Sequence, residues 1–330
     1  MTRSVIDPVT RIEGHLRVEM EVENGKVSDA WVSGGCFRGI ELVVENRTPE
    51  DAAQIVQRIC GVCPVSHAHA SSIAAEKAYG ITISNNARII RNILEGAQFL
   101  HSHILWFYNL AGLDYVNPLN ALKANPADAM DLARAAGTST NSDFTALKEH
   151  LSQFAENGQL SIFSGNWFDA EDGTGFKLPP ELDLICTAHY LEALGMQAKA
   201  SQISALLGGK MPHVMTLRPG GTAFVPTDQK LDDLKVLVDE LWEFCEKMNA
   251  DMVMMWEHMS CKALVGMHGQ FEEQARERGI HLVWVCHDLC DPRVYSRQAI
   301  RDQFNEYMRT VMREEPLDPS IEVLPDENAW

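Results

Sequence analysis

The 330-residue sequence predicts an α+β protein, a mainly helical body opened by an N-terminal β-hairpin and followed by a small α/β domain with a parallel sheet. Three observations predict it. Residues 15 to 34 alternate apolar and polar around Glu23-Asn24-Gly25-Lys26, the pattern of two strands joined by an Asn-Gly turn. The period then becomes helical for most of the residues up to about 250. Beyond that, two short and nearly continuous apolar runs, ADMVMMWEH and IHLVWVCHD, alternate with helical segments, as in a parallel sheet covered on both faces.

The elements follow in order. Thr48 stands as a helix N-cap, with Pro49 at the first helical position and Glu50 and Asp51 in the first turn. Further helical patterns run at about 66 to 79, 84 to 112, 143 to 157, 180 to 207 and 228 to 248. Residues 164 to 181, rich in Gly, Pro, Asp and aromatics, read as an ordered surface loop. Residues 217 to 229 carry Pro219, Gly220, Gly221 and Pro226 and place a boundary, giving domains 1–225 and 226–330. In the second, QFEEQARERG is a helix stopped by Gly279, and SRQAIRDQFNEYMRTVM is the next. The end, from Arg313, has three prolines and no period, and reads as a segment wrapped over a surface; no internal repeat occurs.

A hydrophobic content of 45% supports a substantial core. The formal charge of -18, from 46 acidic against 28 basic residues, repels phosphate backbones and anionic lipid, so nucleic acid is not an expected partner. No apolar run of signal-peptide length opens the chain and no stretch of about 18 apolar residues occurs, so a cytoplasmic protein without direct membrane insertion is expected. In a reducing compartment, close cysteine pairs among the eight cysteines point to metal or redox chemistry before disulfides.

The closest pair is Cys60 and Cys63 in QRICGVCPVSH. A Cys-x-x-Cys at a helix end lets both thiolates face one ion, and the helix terminus and Arg58 favour the deprotonated sulfur that binds soft metals. The spacing alone leaves metal binding, dithiol redox use and packing all open.

The surrounding residues narrow the choice. The chain opens with DPVTRIEGH and continues with CFRGIELVVENRTPEDAAQIVQRICGVCPVSHAHASS, NNARIIRNILEGAQFLHSHILWFYNLAGLDYVNPLNALKANP and KLPPELDLICTAHYLEALGMQAKASQISALLGGKMPH. At these residues, from about 5 to between 225 and 250, it resembles the large subunit of nickel-iron hydrogenases. The resemblance implies that Cys60 and Cys63 supply two of four thiolates around nickel, one bridging to an iron with carbonyl and cyanide ligands. It implies a proton-relaying role for Glu13, a magnesium ligand at Glu41, and places in the wall of the site for Arg58 and His67. It also implies an iron-sulfur small subunit, docking near RIEGH and RICGVC within a larger redox complex. Splitting dihydrogen needs a soft metal and a nearby base, which a carboxylate such as Glu13 can be; the residues alone equally allow Glu13 a salt bridge with Arg11 or Arg38.

Two departures bear on the centre. The resemblance implies a second Cys-x-x-Cys near the C-terminus, which these residues do not contain, and Ser102 stands where hydrogenases typically carry Asp. An incomplete or remodelled nickel-iron centre is therefore expected.

Residues 231 to 315 resemble the C-terminal α/β part of the 2-hydroxyacyl-CoA dehydratase and benzoyl-CoA reductase family, through NADMVMMWEHMSCK, ERGIHLVWV and DPRVYSRQAIRDQFNEYM. That resemblance implies an iron-sulfur role for Cys261. Cys286 and Cys290 sit where an apolar run ends, and with Cys261 they either form a three-thiolate cluster site or are buried thiols beside a capping Asp288. Cys36, Cys186 and Cys245 lie in apolar stretches and read as core, and the methionines of MVMMWEHM as packing; His101 and His103 fall on different sides of a helix and share no metal. The expected function is a hydrogenase-like oxidoreductase subunit. The alternatives are a non-catalytic, hydrogenase-derived scaffold in a redox complex and a component of an acyl-CoA dehydratase or reductase.

Overall fold

A computed structural model describes residues 2–138, 143–163, 178–247, 252–258, 262–287 and 296–315. Contacts divide the chain into two units, Met1–Met248 and Asn249–Trp330.

The first unit opens with an antiparallel sheet of β1 (Thr2–Val9), β2 (Leu16–Glu23) and β3 (Lys26–Gly34), in that order. Asn24 and Gly25 have φ of 52° and 76°, the two positive values that a type I′ hairpin turn requires. The hairpin is therefore as the alternation predicts, but β1 is an addition. It runs through Pro8, which cannot donate to a ladder, and it accordingly occupies an edge with an irregular register between Ile6 and Val9.

The helices follow: α1 (Ile40–Val44), α2 (Pro49–Ile55), a 3-10 turn over Val56–Ile59, α3 (Pro64–Tyr79) and α4 (Asn85–Ile104). Thr48 caps α2 by accepting from the Asp51 N–H at 3.2 Å. The single helix read over 84 to 112 is α4 followed by a π turn at Leu105–Leu110 and a 3-10 turn at Ala111–Asp114. Two short helices, α5 (Pro118–Ala121) and α6 (Pro126–Ala135), have no counterpart in the periodicity reading, although each carries an Asn cap and Pro at its first position. They are only 4 and 10 residues long, shorter than the stretch over which a helical period stands out. Next come α7 (Phe144–Glu156), α8 (Pro180–Gly208), the β4 (Leu217–Arg218) and β5 (Gly221–Thr222) hairpin, and α9 (Asp228–Lys247).

Helix α8 is the spine. Its first half, at Leu184, Ile185 and Ala188, joins a core with Phe144, Leu151 and the buried alanines of α5 and α6. Its second half, at Ala193, Ala200, Ile203 and Leu207, packs with Val65 and Ala68 of α3, Leu94 and Ala97 of α4, and Leu241 and Phe244 of α9. Because Leu241 and Phe244 are buried there, α9 lies in the first unit, and the Pro-Gly segment at 217 to 229 is a clamped hairpin inside that unit.

In the second unit, β6 (Met252–His258), α10 (Lys262–Glu277), β7 (His281–His287) and α11 (Arg297–Tyr307) follow in order. β6 and β7 pair in parallel from Met252 opposite His281 to His258 opposite His287. Val283, Trp284 and Val285 are buried, whereas Val253 and Met254 of β6 are exposed, so that strand is not covered on both faces and Met254 is not a packing residue. Residues 164–177 of the expected loop, Cys261, Cys290, Asp288 and most of the C-terminal segment lie outside the described residues.

The three cysteines read as core are not all buried. Cys36 is exposed because it follows β3, whose residues are exposed throughout; Cys245 is exposed because α9 turns its neighbour Phe244 inward. Cys186 is half-buried beside an apolar cavity of about 280 Å³.

Candidate metal centre

Cys60 ends the 3-10 turn in an extended conformation, and Cys63 is the N-cap of α3, where Pro64 can start the helix because its missing N–H would be unpaired anyway. The chain therefore reverses within Gly61 and Val62, and both cysteines come to one place. The Cys60 sulfur accepts from the Val62 N–H at 3.3 Å and from the Cys63 N–H at 3.4 Å. Cys60 is buried and Cys63 half-buried.

Electrostatics corrects one expectation. Burial, the hydrogen bond and charge of Cys60, and the charge of Glu13 push the Cys63 thiol up to about 12, against a small lowering by its own backbone. The sequence reading has Arg58 easing deprotonation. Instead Arg58 turns away, donating to the Gln54 carbonyl at 2.7 Å, and its charge bears on His213, which burial already holds low. Burial and the neighbouring sulfur and carboxylate charges work against an ionised Cys63, and a bound cation would offset them.

Glu13 lies in the loop between β1 and β2, and that loop is tied down. Arg11 donates from Nε to Asp114 Oδ1 at 2.9 Å, joining the loop to the 3-10 turn beyond α4. At the loop base His15 Nε2 lies 2.6 Å from Asp7 Oδ1, and the Gly35 N–H donates to the His15 carbonyl at 2.7 Å. Arg11 is thus engaged by Asp114, while Arg38 donates to the carbonyls of Ile59 at 2.5 Å and Cys36 at 3.3 Å. The salt bridge considered for Glu13 is not made by either arginine, and Arg38 braces the residue before Cys60.

The other site residues fall as follows. Glu41 is exposed on α1 and lines an open cavity of about 430 Å³ with Phe37, Arg38, Val56 and Ile59, a cavity that neither Cys60 nor Cys63 lines. His67 is half-buried in the first turn of α3, its N–H 3.5 Å from the Cys63 carbonyl. His101 is held low by burial. Cys286 lies on β7 opposite Glu257 of β6. Sequence reasoning passed over a cluster one turn along α3, where Ser66 donates to Glu95 at 2.5 Å and His69 lies 3.3 Å from the other Glu95 oxygen. Burial alone would raise the Glu95 carboxyl, but His69 and Ser66 outweigh it and hold it low. The i, i+3 spacing of Ser66 and His69 was the available signal.

Comparison with known proteins decides the family. The nickel-dependent hydrogenase family matches residues 38–274, and a HoxL-like family matches residues 3–33. The chain belongs to the nickel-dependent hydrogenase family. This hydrogenase-family chain is 44% identical over 256 residues to the Hydrogenase-2 large chain of Escherichia coli (strain K12), covering 74% of this chain and 45% of that one. It is 43% identical over 216 residues to the uptake hydrogenase large subunit of Rhodobacter capsulatus, covering 64% of this chain and 36% of that one. Among solved structures, the Ni-Fe-Se hydrogenase from D. vulgaris Hildenborough superposes with a TM-score of 0.55 at 36% identity, over 75% of this chain and 43% of that one. The chain thus spans less than half the length of these relatives. The family match continues through β6 and most of α10 to residue 274, a segment read above beside the dehydratase family, and none of these relatives supports that second resemblance.

The residues of the hydrogenase-family chain fit part of a nickel-iron centre. One loop presents two sulfurs together, with a carboxylate's charge felt at Cys63. Among the described residues, no group of three His, Cys, Asp or Glu side chains gathers as a metal site, so these residues do not make a complete centre by themselves. No described helix is long and apolar enough to cross a membrane.

Proposed function

We propose that this chain is the thiolate-bearing part of a hydrogenase-type oxidoreductase subunit, acting with an iron-sulfur partner subunit in a larger redox complex. A nickel-iron centre supplies the soft metal at which dihydrogen is split. Cys60 and Cys63 would hold it from one side, Glu13 would hold a proton beside Cys63, and Arg58 and His67 would stand in its wall. Magnesium at Glu41 and an iron-sulfur cluster at Cys261, Cys286 and Cys290 complete the proposal. The observation that carries it is the Cys60–Cys63 pair itself, two sulfurs brought to one loop and closed by an N–H···S bond at 3.4 Å.

A second reading, a hydrogenase-derived scaffold without a metal, is favoured by the absence of a third ligand beside the pair among the described residues. Elemental analysis of this chain purified anaerobically and free of its iron-sulfur partner separates them. Nickel and iron, both lost in Cys63→Ser, support the first reading. Iron with acid-labile sulfide and no nickel points to the C-terminal cysteines, and no metal at all leaves the scaffold.

A further inference from the structure

Gln98 of α4 reaches the loop between the two cysteines. Its Nε2 donates to the Val62 carbonyl at 2.9 Å and to Ser102 Oγ at 3.0 Å. The Val62 carbonyl can only accept, so the nitrogen of the amide must face it, and both of its hydrogens are then used. The residue is 2% exposed, and its Oε1 has no hydrogen-bond partner among the described residues. Burying an unpaired acceptor costs about 1–3 kcal/mol. An apolar residue of similar size would avoid that cost, so the amide is present for what its nitrogen does.

The Val62 carbonyl and the Cys63 N–H belong to one planar peptide. Its oxygen is held by Gln98 and its N–H by the Cys60 sulfur at 3.4 Å. Gripped at both ends, the plane has one orientation, and that orientation sets where the Cα of Cys63 projects its sulfur relative to Cys60. Hydrogen bonding at the carbonyl also polarises the same peptide's N–H toward the Cys60 sulfur, a bond that strengthens once the sulfur is ionised.

We infer that Gln98 is a positioning residue for the Cys60–Cys63 clamp, presetting the separation of the two sulfurs through the Val62–Cys63 peptide, with Ser102 fixing the amide. This inference rests on the metal reading proposed above. The test is titration of the full chain with Co²⁺ under anaerobic conditions, following the sulfur-to-cobalt charge-transfer band and, separately, the melting temperature of the metal-free protein. The unsubstituted chain is expected to show a band that Cys60→Ser and Cys63→Ser remove. Gln98→Leu and Gln98→Glu, neither of which donates from that position near neutral pH, are expected to weaken binding about 10- to 100-fold, the usual effect of losing a group that orients a ligand. Ser102→Ala keeps the bond to Val62 but frees the amide to rotate, so it weakens binding in the same direction by less, and it serves if the Gln98 variants fail to fold. Unchanged cobalt affinity in the folded variants overturns the role of Gln98 while leaving the metal reading standing. A band absent from the unsubstituted chain, or indifferent to both cysteines, overturns the metal reading and this inference with it.

Discussion

Arg91 and Glu76 form a bidentate ion pair inside the first unit, with Nη2–Oε1 at 2.6 Å and Nη1–Oε2 at 3.1 Å. The pair is saturated from outside. The Gly220 N–H donates to Glu76 Oε1 at 2.8 Å, and Arg91 donates to the carbonyls of Arg218 at 2.5 Å and Gly221 at 2.8 Å. One pair therefore locks α3, α4 and the β4–β5 hairpin together, and α3 is the helix whose N-cap is Cys63.

Removing either partner strands a buried charge, so Arg91→Met or Glu76→Gln is expected to cost about 3–5 kcal/mol in urea unfolding at neutral pH. Burial raises the Glu76 carboxyl, yet Arg91 and the Gly220 N–H outweigh it and leave it below its ordinary value of 4.5. A lowered folded-state carboxyl contributes stability that is present above the unfolded value and is lost as pH falls through the folded one. The unsubstituted chain should lose stability below about pH 4.5 more steeply than Glu76→Gln. Equal pH profiles would show that the pair is not coupled to folding.

The Cys63 thiol, held up to about 12, should alkylate slowly with iodoacetamide at pH 8 in the metal-free chain. Cys60→Ala takes away the hydrogen bond and charge of the neighbouring sulfur, so the Cys63 pKa falls and its alkylation rate, read by peptide mass spectrometry, rises. Glu13→Gln should move the rate in the same direction by less, since Glu13 is the smaller influence. A faster rate in the unsubstituted chain than in Cys60→Ala would contradict the geometry.

Arg11 and Asp114 are part-exposed, and such a pair contributes about 0–1 kcal/mol to stability. Arg11→Met should therefore melt within a few degrees of the unsubstituted chain. Its effect is expected in position, because the loop it ties carries Glu13. Cys63 alkylation in Arg11→Met should rise to the level of Glu13→Gln, and the double substitution should add nothing further.

Gly208 closes α8 against Val214. A Cβ there would stand 2.4 Å from Val214 Cγ1 and 2.7 Å from its Cβ, and Val214 is fully buried. Gly208→Ala is expected to destabilise by about 1–3 kcal/mol through overpacking, measured by thermal unfolding. Pairing it with Val214→Ala should recover part of the loss if the clash is the cause.

Much of the fold was legible because its signals are local. The φ values of Asn24 and Gly25, the Thr48 cap and the 3.6-residue stripes of α4, α7 and α9 each depend on residues a few positions apart. α5 and α6 escaped because they are too short for a helical period to stand out, and β1 because it crosses Pro8 at a sheet edge. At the site, the spacing of Cys60 and Cys63 brought the pair into view. The bond from Arg58 to the Gln54 carbonyl was not legible, because a backbone acceptor leaves no side-chain signal in the sequence.

By itself the sequence determined the helical body, the hairpin, the thiolate pair and the family those residues resemble, since each resides in short-range pattern or ordered motifs. The tertiary structure alone decided the rest. It set which way the Cys63 thiol shifts, which residues engage Arg11 and Arg38, that α9 belongs with the first unit, and that Gln98 grips the peptide between the cysteines. These are sums of burial and charge over residues up to about a hundred positions apart, such as Arg11 and Asp114, and only the folded chain brings such terms together.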